Sequence, residues 1–299
     1  MRPNPFLRKL GFSETDRVVI LHADDIGMCQ STVTAFEDLV DFGVLSSAAM
    51  MTPCPWFPAA AEVATRLKDR KPDVGVHMTL TAEWTVYRWG AVSTADPSTG
   101  LFDADGYFPH NTDRSKPHAA PAAVDCELRA QLDRALALGL DVTHIDSHML
   151  TTFTPAYLPI YLGLALEYRL PAFAFRHDET GRRADGFDGD VASEMARVTT
   201  DFEARGLPLF DHAYCMSLDR HEERLSEATR ALADCPPGLT HFIIHPVSDT
   251  PEIRAIAPDW RARVADRALF VDEAWRAAVK ASGVQVIGYR ALRDALRAA

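Results

Sequence analysis

Short apolar runs rich in β-branched residues alternate along this chain with longer stretches of helical periodicity. The runs fall at 17–23, 44–51, 74–80, 142–148, 172–176, 212–216, 240–246 and 284–289. Each is the length of a buried strand. Between the first two, Val33, Phe36, Leu39 and Val40 recur at helical spacing, with Ser31 or Thr32 as an N-cap and Gly43 as the stop. Further helical segments are expected at 58–69, 121–138, 155–168, 191–204, 221–233, 258–281 and 290–298. Residues 1–16 read as a polar lead-in with one short helix, and 177–190 as a polar connection. Strands that alternate with helices predict an α/β fold with a mostly parallel sheet, in a single domain over residues 1–299. A (β/α) barrel and an open doubly wound sheet both fit. The glycine fingerprint of a dinucleotide fold is missing after the first run. The stretch 82–120 breaks the pattern with aromatics, prolines and turn residues. It reads as a loop excursion, and loops of that length in compact domains are usually functional.

Composition narrows the partners. The net charge of -11 argues against nucleic acid and suits a neutral or cationic small substrate. Cys29, Cys54, Cys126, Cys215 and Cys235 are scattered, with no C-x-x-C pair, which argues against a disulfide framework or a thiolate zinc site. No run approaches the length of a membrane span and the N-terminus lacks an apolar leader, so a cytoplasmic protein without membrane contact is expected.

The polar residues that interrupt the runs carry the chemistry. Asp24 and Asp25 close the first run, His77 lies in the third, and Asp146 and His148 end the fourth. Arg176 follows the fifth and His245 the seventh. In barrels the C-terminal ends of the strands form the active-site mouth, so one mouth would gather these groups. Two imidazoles and a carboxylate suffice to hold a divalent ion with open positions. Adjacent carboxylates on a strand point in different directions, so one can bind an ion while the other handles a proton. His144, Asp146 and His148 share parity, which makes His144 and Asp146 candidates for a supporting shell. Trp84 and Trp89, with Tyr87, Tyr107 and Phe108, offer an aromatic wall for a sugar, or else a small apolar core under the excursion.

Asp24-Asp25 with Gly27, Gly75-Val76-His77-Met78-Thr79-Leu80-Thr81, Thr143-His144-Ile145-Asp146-Ser147-His148 and His245-Pro246 resemble the YdjC/ChbG-like carbohydrate deacetylases in order and approximate spacing. Gly43-Val44-Leu45-Ser46-Ser47 and the Asp105-Gly106-Tyr107-Phe108 turn add to the likeness, which runs from about residue 17 to the end. The resemblance implies a distorted TIM-like barrel that removes acetyl groups from N-acetylated sugars or oligosaccharides. It implies one divalent metal ion, zinc or magnesium, on Asp25, His77 and His148. Asp24 then matches the catalytic base, His245 a histidine that protonates or steadies the reacting group, and Arg176 a substrate partner. Three positions depart from the family pattern: His22 stands where asparagine is usual, Leu150 where a further histidine is frequent, and Val247 where glycine follows His-Pro. A barrel metalloenzyme of another class, such as a sugar isomerase or phosphoester hydrolase, and a non-catalytic sugar-binding protein stay open as alternatives. No lysine falls at a strand end, which weighs against the isomerase. A homodimer is compatible with the sequence.

Overall fold

The computed structural model describes residues 3–111 and 117–298. Residues 1–2 of the expected lead-in, 112–116 of the expected excursion and 299 lie outside the described residues. The strands are β1 (Arg17–Ile26), β2 (Ser47–Met50), β3 (Val74–Met78), β4 (Val142–Ser147), β5 (His212–Cys215), β6 (Gly238–Ile244) and β7 (Gln285–Val286). Their order is β4-β3-β2-β1-β6-β5, and every pairing is parallel. The short β7 pairs with the start of β1 at Val18 and Val19, below the point where β2 takes over at His22.

The fifth run forms no ladder of its own. Residues 171–176 instead bridge the two outer strands. Phe173 donates its backbone N–H to Ile145 at 3.0 Å, and Arg176 donates to Phe210 at 3.0 Å. Parallel bridges pair Ile145 with Ala172 and Phe175 with Phe210. These contacts draw the sheet round into a distorted barrel. Side chains meeting across the middle agree with closure: His22 of β1 touches His144 of β4, and Phe173 touches His241 of β6. β1 is buried on both faces, against this interior and against helices, which is why its sequence reads as an unbroken apolar run.

The helices follow the expected periodicity, with local differences. The first long helix, Gln30–Phe42, starts after Cys29 and ends at Gly43 in the left-handed conformation, φ 80°. Thr32 lies inside it and accepts the Gly27 N–H at 3.0 Å, so it anchors the preceding turn rather than capping. The expected segment 258–281 is two helices, Trp260–Phe270 and Glu273–Ala281, because Asp272 caps the second through the Ala274 N–H at 2.8 Å. The excursion has no strand among its described residues. It is fixed by Arg88, whose guanidinium reaches Asp103 at 2.5 Å and the Phe108 carbonyl at 2.6 Å. Its buried Trp89, Leu101 and Phe108 join the main core, so it is an extension of that core rather than a separate subdomain.

Candidate metal centre and active site

Strand parity sends His22 and Asp24 from β1, His144 and Asp146 from β4, and His241 from β6 into the barrel interior. Gly75 of β3 makes room for this layer. A Cβ there would lie 2.5 Å from the His144 ring, which is stacked on Tyr289 at 3.7 Å.

Asp25 should point away from Asp24 by the same parity, and it does not. Its φ is +63°, and the β1–β2 register shifts between Ala23 and Ile26. This bulge turns the side chain back toward β3 and β4. Both carboxylates therefore face His77 from either side: Asp25 Oδ1 is 3.5 Å from its Nε2, and Asp24 Oδ1 is 3.8 Å from its Nδ1. His148 follows β4, and its Nδ1 is 3.2 Å from Asp25 Oδ1. Met149 and Leu150 behind it are also left-handed, with φ 50° and 54°. Such strain tends to gather at functional sites.

Asp25, His77 and His148 each offer one ligand atom, and the three atoms lie within 4.8 Å of one another. All three residues are buried. Asp25 Oδ1 has no aligned hydrogen bond, a costly state for a buried carboxylate oxygen. One oxygen and two ring nitrogens around an orphaned anion fit a borderline or hard divalent ion. The outer contacts are equally specific. Arg263 donates to Asp25 Oδ2 at 2.6 Å, and Glu83 is 3.0 Å from His148 Nε2. A carboxylate behind a ligating histidine fixes its tautomer and orientation.

Electrostatics follow from these contacts. Burial alone would raise the Asp25 carboxyl, but Arg263, His148 and His77 hold it well below the usual range. Burial alone would lower His148, but Glu83 and Asp25 outweigh it and lift it to about 10. His77 is raised despite burial by Asp24 and Asp25. His22 lies 3.0 Å from Asp24 and 3.3 Å from Asp146, and the two carboxylates overcome its burial to raise it to about 9. Burial lowers His245, whose Nε2 faces Asp24 Oδ2 at 3.8 Å.

The remaining expected residues fall in three places. Asp146 joins the cluster through His22. His144 belongs to a deeper layer, where its Nδ1 meets Thr143 Oγ1 at 2.9 Å, so it does not support His148. Arg176 is not brought to the cluster. It binds Glu203 at 2.5 Å and Asp211 at 2.8 Å, and Asp211 in turn holds the Leu239 N–H at the start of β6. The Phe175–Phe210 bridge puts the next residue at the entrance of β5 and β6, not at their exit. Trp84 and Trp89 reach the site from behind, with rings buried and 5.7 Å apart. Trp84 lies 5.4 Å from the Arg263 guanidinium and Trp89 6.4 Å from the His148 ring. The two rings pack beside Arg263 and His148 and present no open platform.

Glu83 and Arg263 are the residues that sequence reasoning missed. Glu83 had one available signal, its place six residues after His77 in the excursion. Arg263 had none, because an arginine on a helix ordinarily faces solvent.

The profile of the YdjC-like protein family matches residues 18–281. A carbohydrate deacetylase from Thermus thermophilus is 32% identical over 260 residues, which cover 87% of this chain and 88% of that protein. A carbohydrate deacetylase from Brevibacillus brevis is 38% identical over 155 residues, 51% of this chain and 57% of the relative. Among solved structures, an Enterococcus faecalis protein described as a cellobiose-phosphate cleavage protein superposes with a TM-score of 0.73 at 20% identity, over 93% of this chain and 99% of that one. That last likeness concerns the fold. No helix among the described residues is long and apolar enough to cross a membrane.

Proposed function

The chain belongs to the YdjC-like protein family, and on that premise we propose that it is a metal-dependent hydrolase that removes acetyl groups from N-acetylated sugars. The observation that carries this reading is the orphaned Asp25 Oδ1, faced by one nitrogen each of His77 and His148, with a second carboxylate at its side.

Asp25, His77 and His148 would hold the ion, zinc or magnesium. When bound there, it supplies a Lewis acid for the acetyl carbonyl and lowers the pKa of water. The residues around it divide the remaining work. Arg263 takes Asp25 Oδ2 and so leaves Oδ1 for the ion. Glu83 fixes the His148 ring. Asp24 is the general base, since its Oδ2 faces the mouth and its side chain is the most open of the three buried aspartates there, at 10%. His245, 3.8 Å from that oxygen, passes the proton on to the departing amine. Trp84 and Trp89 keep water from the rear of the site. Tyr107 and Met149 are exposed after β3 and β4, and they suit the apolar face of a pyranose better than the two buried tryptophans. Arg176 has no part in this reading.

The test is acetate release from a panel of N-acetylated mono- and oligosaccharides, with and without chelator. Release that the chelator abolishes is expected. Chelator-resistant release, or none from any sugar, would contradict the reading.

A further inference from the structure

One side chain lies beside both Asp24 and Asp146, two carboxylates left outside the ligand set. His22 is fully buried, and its Nε2 lies between Asp24 Oδ1 at 3.0 Å and Asp146 Oδ2 at 3.3 Å. Three rings enclose it: His241 at 4.4 Å, His144 at 5.1 Å edge-on and Tyr289 at 5.8 Å. Burial lowers the pKa of both neighbouring histidines, His241 to about 3. Its partner Asp146 accepts the Ser147 N–H at 2.5 Å.

The consequence falls on Asp24, whose two oxygens are made unlike. Oδ1 is turned inward, 3.0 Å from His22 Nε2 and 3.8 Å from His77 Nδ1. Oδ2 is left facing His245 and the mouth. We propose that His22, anchored by Asp146 and its three ring neighbours, is a positioning residue that holds Asp24 with Oδ2 toward the attacking water. This rests on the deacetylase reading. It makes the Asp24 rotamer depend on the layer below the ion as well as on His77, whose Nδ1 is 3.8 Å from the same Oδ1. A misplacement of about 1 Å in such a group can cost roughly 100-fold in rate.

The discriminating variants are His22→Leu, which removes the polar contact to both carboxylates, and His22→Gln, which keeps a polar nitrogen there but cannot carry charge. Each is compared with the wild type in kcat and KM for acetate release, in zinc stoichiometry and affinity by calorimetry, and in the Asp24 carboxylate orientation by crystallography. His22→Leu is expected to lose about 100-fold in kcat with KM and zinc affinity unchanged, and to show a rotated Asp24 carboxylate. His22→Gln should restore the orientation and most of kcat. An unrotated Asp24 in His22→Leu, a glutamine variant as impaired as leucine, or a second zinc bound between His22, Asp24 and Asp146 would each overturn the assignment. Should His22→Leu fail to fold, Asp146→Asn is read in the same way, since it loosens the anchor. If the wild type releases no acetate, the deacetylase reading fails. Carboxylate orientation and zinc count in the same proteins then still decide the role of His22.

Discussion

Asp25 holds a left-handed backbone conformation, and that single residue makes two neighbouring carboxylates serve one site. The strain is offset locally by Arg263 on Oδ2 and by the ion proposed for Oδ1. Roles at this scale separate by substitution. Asp24→Asn should bind zinc as the wild type does and lose about 10²–10⁴-fold in kcat, the usual range for a general base. His148→Ala should lose zinc affinity first. Zinc calorimetry beside acetate release distinguishes the two, and an Asp24→Asn enzyme with near-normal kcat would remove Asp24 as base. The pH dependence follows from the raised histidines. Glu83 and Asp25 raise His148 from its ordinary 6.5 to about 10, and Asp146 and Asp24 raise His22 to about 9. Their protonation therefore stabilises the ion-free protein fully below about pH 6.5, and this contribution is lost as pH rises toward 9–10. Ion binding must displace the His148 proton, so affinity moves the opposite way. The gap in melting temperature between zinc-loaded and chelated protein should widen from pH 6.5 to 9. A constant gap would mean that these histidines do not exchange protons for the ion.

At the scale of elements, the helix Trp260–Phe270 controls both sides of the site. Arg263 holds Asp25, and one turn later Asp266 accepts the His245 N–H at 3.0 Å while pairing with Arg224 at 3.1 Å. A buried ion pair adds little net stability as a pair, but removing one partner leaves an unpaired charge. Arg263→Met should therefore destabilise the chelated protein by about 3–5 kcal/mol in urea unfolding, and zinc should recover part of the loss. A change below about 1 kcal/mol would show that Asp25 is solvated or protonated instead. These elements also show what could be read from the sequence. The strand ends named Asp24, Asp25, His77, Asp146, His148 and His245 from the sequence, and these side chains lie together in the structure, whereas His22 was noted only as a departure from the family pattern. The rule failed where geometry departs from the regular strand. The bulge at Asp25 reverses its direction, and the one-bridge connector at 175 carries Arg176 to the wrong end of the barrel. Trp84 and Trp89 were legible as either a sugar wall or a small apolar core, and their burial beside Arg263 and His148, set by residues far away in the chain, could not be read from their spacing.

At the scale of the molecule, closure by residues 171–176 brings the β4 and β6 sides of the sheet round to β1. Without it His22 would not be caged by rings from both flanks, and the proposed base and ligands would lie on an open surface. The alternation of runs and helices left the barrel and the open sheet equally available. Only the closing bridges and the cross-barrel contacts separate them, and these pair residues from different runs, such as His22 with His144 and Phe173 with His241. The central claim, one catalytic ion on Asp25, His77 and His148, is tested most directly by returning ions to the chelated protein while acetate release from N-acetylated sugars is followed. Zinc and magnesium are titrated in turn. The account expects activity to rise from none to a plateau at one ion per chain, with no rise in His77→Ala. Full activity before any ion is added, or the same titration curve in His77→Ala, would contradict it.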